Sequence, residues 1–290
     1  MVKPGFLKND GVVAWLGGIE PVWTHIDFDS YCRLQRWPEE ARPAVLLATD
    51  LSEAEAQSSP IFVAMLALLR MAGDEGGAKL TTGGGLTRAV ITPIAELCDG
   101  PAYDLALIRS VTKVLNEADV WPVELLRHVA TELGFVRRRG RSLVLTAKGR
   151  TVLEADGGDL MARLFATVFG RINLGHWDGY PVATWPQSNI GVIAWSLANA
   201  ASTWETPARL ARFCTVPVIG VLEAEHDFAG HAFELRILRI LALFGLLEAR
   251  TDTAPPNRLL PTRHYRKAPL YDRLFSFDVT LEPIEAGMRH

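Results

Sequence analysis

Apolar residues recur along most of this chain at helical spacing. Ile61, Met65, Leu68 and Leu69 share one face of a helix that Pro60 opens and Gly73 closes. Proline suits a first helical turn, and glycine the left-handed turn after the last. Upstream, Ser52 followed three residues on by Glu55 reads as a capping box, in which each residue satisfies a free donor of the other. The same periodicity predicts helices over residues 105–115, 122–133, 151–154, 160–169, 190–201, 207–213 and 231–244. Residues 1–50 differ: Trp15, Trp23, Phe28, Tyr31 and Trp37 stand among Gly and Pro without a sustained period. There, Val12 to Leu16 reads as a short strand, because β-branched and aromatic residues favour a pleated surface.

One pattern occurs three times. In the clearest copy a helix ends at Gly134, a short strand runs into the turn Arg139-Gly140-Arg141, and Leu143 to Leu145 returns as a second strand. Thr146 then caps the next helix. Helix, two-stranded wing and helix is how a winged-helix unit reads. A second copy has its helix broken at Gly245, a strand from Leu246 to Arg250, and a loop carrying Pro255 and Pro256. Its return strand is predicted at Arg258 to Leu260, before Pro261, with Thr262 as the cap-like residue. A third copy is abbreviated: a helix through Met65 to Met71, a turn at Gly76-Gly77, a strand from Lys79, and Gly83, Gly84 and Gly85 leading into a helix. The expected fold is therefore mainly α, with two or three winged-helix-like units bearing short β-hairpin wings in one helical body. The expected organisation is an irregular segment at 1–50, a degenerate unit at 51–100, a unit at 101–160, a helical connector at 161–230 and a C-terminal unit at 231–290.

Composition narrows the function classes. The 290 residues are 49% hydrophobic and 22% charged, with a net charge of −3, and the pI is near 6.2. Such a chain can bury a full core, and it is no bulk polycation. Any nucleic-acid contact has to come from a local patch. Cys32, Cys98 and Cys214 are far apart and form no CxxC pair, the pattern of reduced, buried thiols. The longest apolar runs are shorter than the roughly 20 residues that cross a bilayer. A cytoplasmic location without membrane association is expected.

The run from Lys79 to Arg88 (KLTTGGGLTR), followed by Asn116-Glu117-Ala-Asp119 and by residues 125–149 ending in LTAKG, has a recognisable order. It resembles the helical region of uncharacterised bacterial proteins related to the plasmid open-reading-frame-three-like family. The likeness spans about residues 50–215 and continues through residues 169–181, with Asn173 and Asp178-Gly179-Tyr180-Pro181. The plasmid family's small β-rich domain has no counterpart here. The resemblance implies a winged-helix-like fold and carries no activity with it.

The sharpest chemical signal is basic. Arg137, Arg138, Arg139, Arg141, Lys148 and Arg150 fall within residues 137–150, which contain no Asp or Glu. Guanidinium forks pair with phosphate oxygens, and a wing tip can follow a phosphate backbone. The other reading is a solvated hairpin that charge keeps from pairing with other strands. The preceding helix offers Glu124, Arg127, His128, Thr131 and Glu132, a mixture unsuited to reading base edges. A second basic cluster holds Arg258, Arg263, Arg266 and Lys267, with His264 and Arg273, and with Tyr265 and Tyr271 interleaved. Aromatic and basic side chains together suit single strands, whereas tyrosines packed on a core suit a plain surface loop.

Elsewhere the residues define no reaction. His226 and His231 are five apart and fail the HExxH spacing, and Asp227 reads as a helix cap. His176, Asp178 and Tyr180 lie in a Trp-, Gly- and Pro-rich loop that reads as a rigid turn. Neither GxxxxGK[ST] nor a nucleophile framework is present. The expectation is a non-enzymatic regulatory or accessory protein without metal or cofactor, binding DNA or RNA through basic wings. The alternative is a protein-interaction or structural module that binds no nucleic acid, either self-associating or held by a protein partner.

Overall fold

Helices dominate because their ends are chemically marked, as seen in a computed structural model that describes residues 10–36, 42–155, 158–179, 184–222, 228–252 and 262–282. Ser52 caps helix Glu53–Gln57: its hydroxyl accepts from the Glu55 N–H at 3.3 Å, and the Glu55 carboxylate accepts from the Ser52 N–H at 2.7 Å. Pro60 opens helix Pro60–Gly73 as expected. Trp37, Tyr180, Pro181, His226, Asp227 and the return strand predicted at Arg258 to Leu260 lie outside the described residues.

The chain divides into two units, each with internal contacts of its own. One comprises Ala48–Ile172 with Arg239–Thr251, and the other Met1–Leu47, Asn173–Leu238 and Asp252–His290. The segment expected as a single C-terminal unit, 231–290, is thus shared between them.

In the first unit, helices Pro60–Gly73, Arg88–Leu97 and Trp121–Glu132 pack on one another through Met65, Leu68, Ile91, Ile94, Leu126 and Val129, all buried. Strands Val136–Arg139 and Ser142–Leu145 form the expected antiparallel hairpin, with Arg137 opposite Val144 and Arg139 opposite Ser142. Gly134 and Gly140 have φ of 69° and 59°, the left-handed region a side chain resists. Thr146 caps helix Ala147–Glu154 by accepting from the Gly149 N–H at 3.1 Å, while its hydroxyl donates to the Gly134 carbonyl at 2.7 Å.

Strand Ala78–Lys79 adds to this hairpin, antiparallel to Ser142–Leu145, and gives a three-stranded sheet. The expected division at residue 100 therefore runs through a shared sheet. The two predicted copies on either side of it share that sheet, because strand Ala78–Lys79 pairs with the hairpin of the second segment. Gly83 to Gly85 do not enter a helix directly, and the next helix starts at Arg88. They form a tight turn in which the Thr81 N–H donates to the Gly85 carbonyl at 2.7 Å.

In the second unit, helix Ile190–Ala200 is buried around most of its surface, with helices Phe28–Leu34 and Pro207–Cys214 against it. Strand Val45–Leu47 pairs antiparallel with Phe275–Phe277. Val12 to Leu16, predicted as a strand, belong to helix Asp10–Leu16. Helical spacing brings Val12 and Leu16 to one buried face at 1% and 7% exposure and leaves Val13 half exposed, so the packing surface overrides the β propensity of the run. The predicted helix 231–244 begins at Phe228 and contains a π-helical turn, Glu234–Leu238. Thr262 precedes strand Arg263–Lys267 and no helix: its carbonyl accepts from the Asp252 N–H at 3.0 Å, and helix Pro269–Leu274 starts after Ala268.

The three cysteines are free thiols. Burial pushes the Cys98 thiol up to about 12 and raises that of Cys214 as well, while Cys32 is half-buried. A thiolate is the reactive species. Mild alkylation of the native protein at pH 8 is therefore expected to modify Cys32 alone, with all three modified in denaturant. Labelling of Cys98 or Cys214 at a comparable rate, read by peptide mass, would contradict this packing.

Candidate nucleic-acid interface

The hairpin presents its cations to solvent. Arg137, Arg138, Arg139, Arg141, Lys148 and Arg150 are all exposed. None of them has a carboxylate within ion-pair distance among the described residues. The Arg138 Nε donates to the Gly140 carbonyl at 3.1 Å, which ties that side chain over the turn. The Lys148 ammonium lies 5.9 Å from the centroid of the Phe135 ring. Strand alternation puts Arg137 and Arg139 on the sheet face opposite Val136 and Leu143, whose side chains are buried.

Lys79 belongs to this surface and the sequence reading missed it. Its strand places it opposite Ser142, so it shares the outer face with Arg139. Its ammonium donates to the Gly76 carbonyl at 2.7 Å and to the Ser142 hydroxyl at 3.4 Å. The available sequence signal was one lysine in a short strand. The partner strand lies 63 residues away, and no local spacing reports it.

The helix before the hairpin has little to offer a base edge. Arg127 is consumed by an ion pair with Glu117, itself buried at 6% exposure, and its Nη1 donates to the Gly84 carbonyl at 3.4 Å. Glu117 also accepts from the Leu86 N–H at 2.7 Å. A side chain on Gly85 would sit 3.0 Å from the Glu117 carboxylate, which explains a glycine at that point of the turn. His128, Thr131 and Glu132 are left at the exposed end of this helix.

The C-terminal basic cluster is arranged differently. Arg263, Arg266 and Lys267 sit on strand Arg263–Lys267, where a loop was one expectation. Arg263 pairs with Glu234 at 3.2 Å, and the Tyr265 hydroxyl donates to the same carboxylate at 3.0 Å. Lys267 donates to Asp272 at 2.7 Å and to the Ala198 carbonyl at 3.2 Å. The Arg266 guanidinium lies over Trp204, 4.7 Å from the ring centroid. Tyr265 and Tyr271 are both 0% exposed, so neither ring can stack on a base.

The polar residues of the aromatic loop also resolve into structure. Asp178 forms a two-pronged ion pair with Arg236, at 2.5 Å from Nε and 2.7 Å from Nη2, and Arg236 donates to the Trp185 carbonyl. His176 is exposed and stands edge-on to Trp177 at 5.7 Å. His231 lies on helix Phe228–Phe233. Among the described residues no group of three His, Cys, Asp or Glu side chains is placed to hold a metal ion, and no helix is long and apolar enough to cross a membrane.

These features define a mainly helical protein with small antiparallel sheets and an exposed basic hairpin whose cations have no carboxylate partner among the described residues. Residues 57–158, which carry that hairpin, match the family described as the Y4jL N-terminal domain. Over 95 residues the chain is 37% identical to the uncharacterized protein y4jL of Sinorhizobium fredii (strain NBRC 101917 / NGR234). That stretch is 33% of this chain and 43% of the relative's length. No solved structure matches the chain.

Proposed function

We propose that the unit built from residues 48–172 and 239–251 is a winged-helix module that contacts a nucleic-acid backbone through its basic hairpin, as a non-enzymatic regulatory or accessory protein. The observation that carries this reading is the set of exposed cations from Arg137 to Arg150 without carboxylate partners among the described residues. A winged-helix unit runs helix, strand, helix, helix, hairpin; the reading is supported by those elements occurring here in that sequence, with strand Ala78–Lys79 against the returning hairpin strand, although helix Leu105–Val111 is inserted before the last helix. The preceding helix carries an acid at Glu132 and a neutralised Arg127, so binding would be largely independent of sequence. The further link to the plasmid open-reading-frame-three-like family is part of this proposal and supplies no activity.

Counterion release makes such binding salt-dependent, with a log–log slope of about −0.9 per phosphate neutralised. Anisotropy with labelled duplex DNA and single-stranded RNA should show binding at low salt that falls steeply as salt rises. Changing Arg137, Arg138, Arg139 and Arg141 together to Ala should flatten the slope by about 1 for each contact removed and weaken binding at least tenfold. Unchanged binding by that variant would sink the proposal. A protein-interaction module remains the second reading, favoured by Leu107, Val111 and Val114 at 48%, 79% and 39% exposure. A stable protein partner, with no nucleic acid bound even at low salt, would select it.

A further inference from the structure

A cleft of about 440 Å3 opens between the end of helix Pro60–Gly73 and the outer face of the hairpin. This volume is within the roughly 300–1,000 Å3 range of small-molecule sites. One wall is the turn at Gly76 and Gly77, whose φ values are 84° and 67°. That wall is pressed hard on the sheet, since a Cβ on Gly77 would lie 2.4 Å from the Leu143 carbonyl oxygen. Lys79, bonded to both Gly76 and Ser142, pins the turn to the hairpin. That wall of the cleft is therefore set by backbone, and the facing charges stand on exposed side chains.

Its chemistry is two-sided. Arg139 and Arg150 line it, together with Ser142 and Val144 of the outer face and Leu145 at the end of the strand. Asp74 is the one carboxylate among the lining residues. Asp74, Arg139 and Arg150 each lack an ion-pair partner among the described residues, although all three border the same space. Opposite charges that share a cleft without pairing suit a ligand that complements both. Such a ligand has an anion for the guanidinium forks, a flat apolar face for Val144, and N–H donors for a carboxylate that can only accept.

We propose that this cleft binds one nucleotide, its phosphate held by Arg139 and Arg150 and its base edge read by Asp74, with guanine preferred. Guanine alone presents two adjacent N–H donors, at N1 and N2, that match the two oxygens of a carboxylate. Uracil offers one N–H between two carbonyls that a carboxylate repels. The nucleotide can be free or part of a strand. The strand-borne case rests on the hairpin being a nucleic-acid surface, whereas the free case does not.

Calorimetric titration of the full chain with GMP, AMP, CMP, UMP and guanosine tests this at low salt. GMP should bind about tenfold more tightly than UMP and about tenfold more tightly than guanosine, which lacks the phosphate. Arg139→Ala and Arg150→Ala should each weaken GMP binding about tenfold. Asp74→Asn should erase the preference for guanine while keeping the phosphate-dependent part, with circular dichroism and thermal midpoint confirming that each variant is folded. Equal binding of the four nucleotides, or folded arginine variants that bind GMP as the parent does, would overturn the proposal. Oligonucleotide binding without mononucleotide binding removes the cleft and leaves the hairpin surface. GMP binding without oligonucleotide binding keeps the cleft and removes the surface.

Discussion

Replacing Arg236 by Met is expected to lower the unfolding free energy by about 3–5 kcal/mol, the usual cost of breaking a buried ion pair on one side. The Arg236 side chain is 1% exposed and that of Asp178 is 5%. Removing the guanidinium leaves Asp178 charged, buried and without the two donors that approach it at 2.5 and 2.7 Å. It also leaves the Trp185 carbonyl without its Arg236 donor. Urea denaturation followed by circular dichroism measures the loss. The double variant Arg236→Met with Asp178→Leu should recover a large part of it, because two apolar groups need no partner. A single variant within about 1 kcal/mol of the parent would mean that the pair is hydrated and not buried.

Gly191→Val is expected to cost about 3 kcal/mol through overpacking. A Cβ built on Gly191 would lie 1.9 Å from the Leu34 carbonyl oxygen and 3.2 Å from a Val45 methyl. The nearer atom is backbone, so helix Ile190–Ala200 has to move away from the end of Phe28–Leu34, and packing along both is lost. Gly220→Ala is the comparison, since among the described residues nothing lies within 4 Å of the added carbon. It should be neutral or slightly stabilising, as alanine loses less backbone entropy in a helix than glycine does. Thermal midpoints decide the matter, at about 2–4 °C per kcal/mol for a chain of this size. Equal midpoints for the two variants would contradict the close helix approach.

Both effects arise where a residue's role depends on something distant in sequence. Arg236 and Asp178 are 58 residues apart, and Asp178 looked like one polar member of an aromatic turn. Gly191 stood inside an apolar helical run, where glycine has no local reason to be favoured. Lys79 looked like one lysine in an abbreviated repeat until its strand met Ser142. The C-terminal arginines were legible as a basic cluster, but the sequence does not reveal that Glu234, Asp272 and Trp204 occupy them.

What could be read directly were features that a few neighbouring residues settle between themselves. The capping box at Ser52 and Glu55, the start at Pro60, the left-handed turns at Gly134 and Gly140 and the cap at Thr146 all stand as read. Each is decided within about one turn of chain, by sterics and by hydrogen bonds that the nearest side chains supply. The hairpin at Arg137 to Arg141 belongs to the same class, and so does its charge. Long-range packing decided the rest: that the segments on either side of residue 100 share one sheet, that Val12 to Leu16 is helical, and that one basic cluster is paired with carboxylates while the other, among the described residues, is not. Burial and pairing depend on which distant surfaces meet, and a periodic pattern names the surface that must be covered without naming its cover.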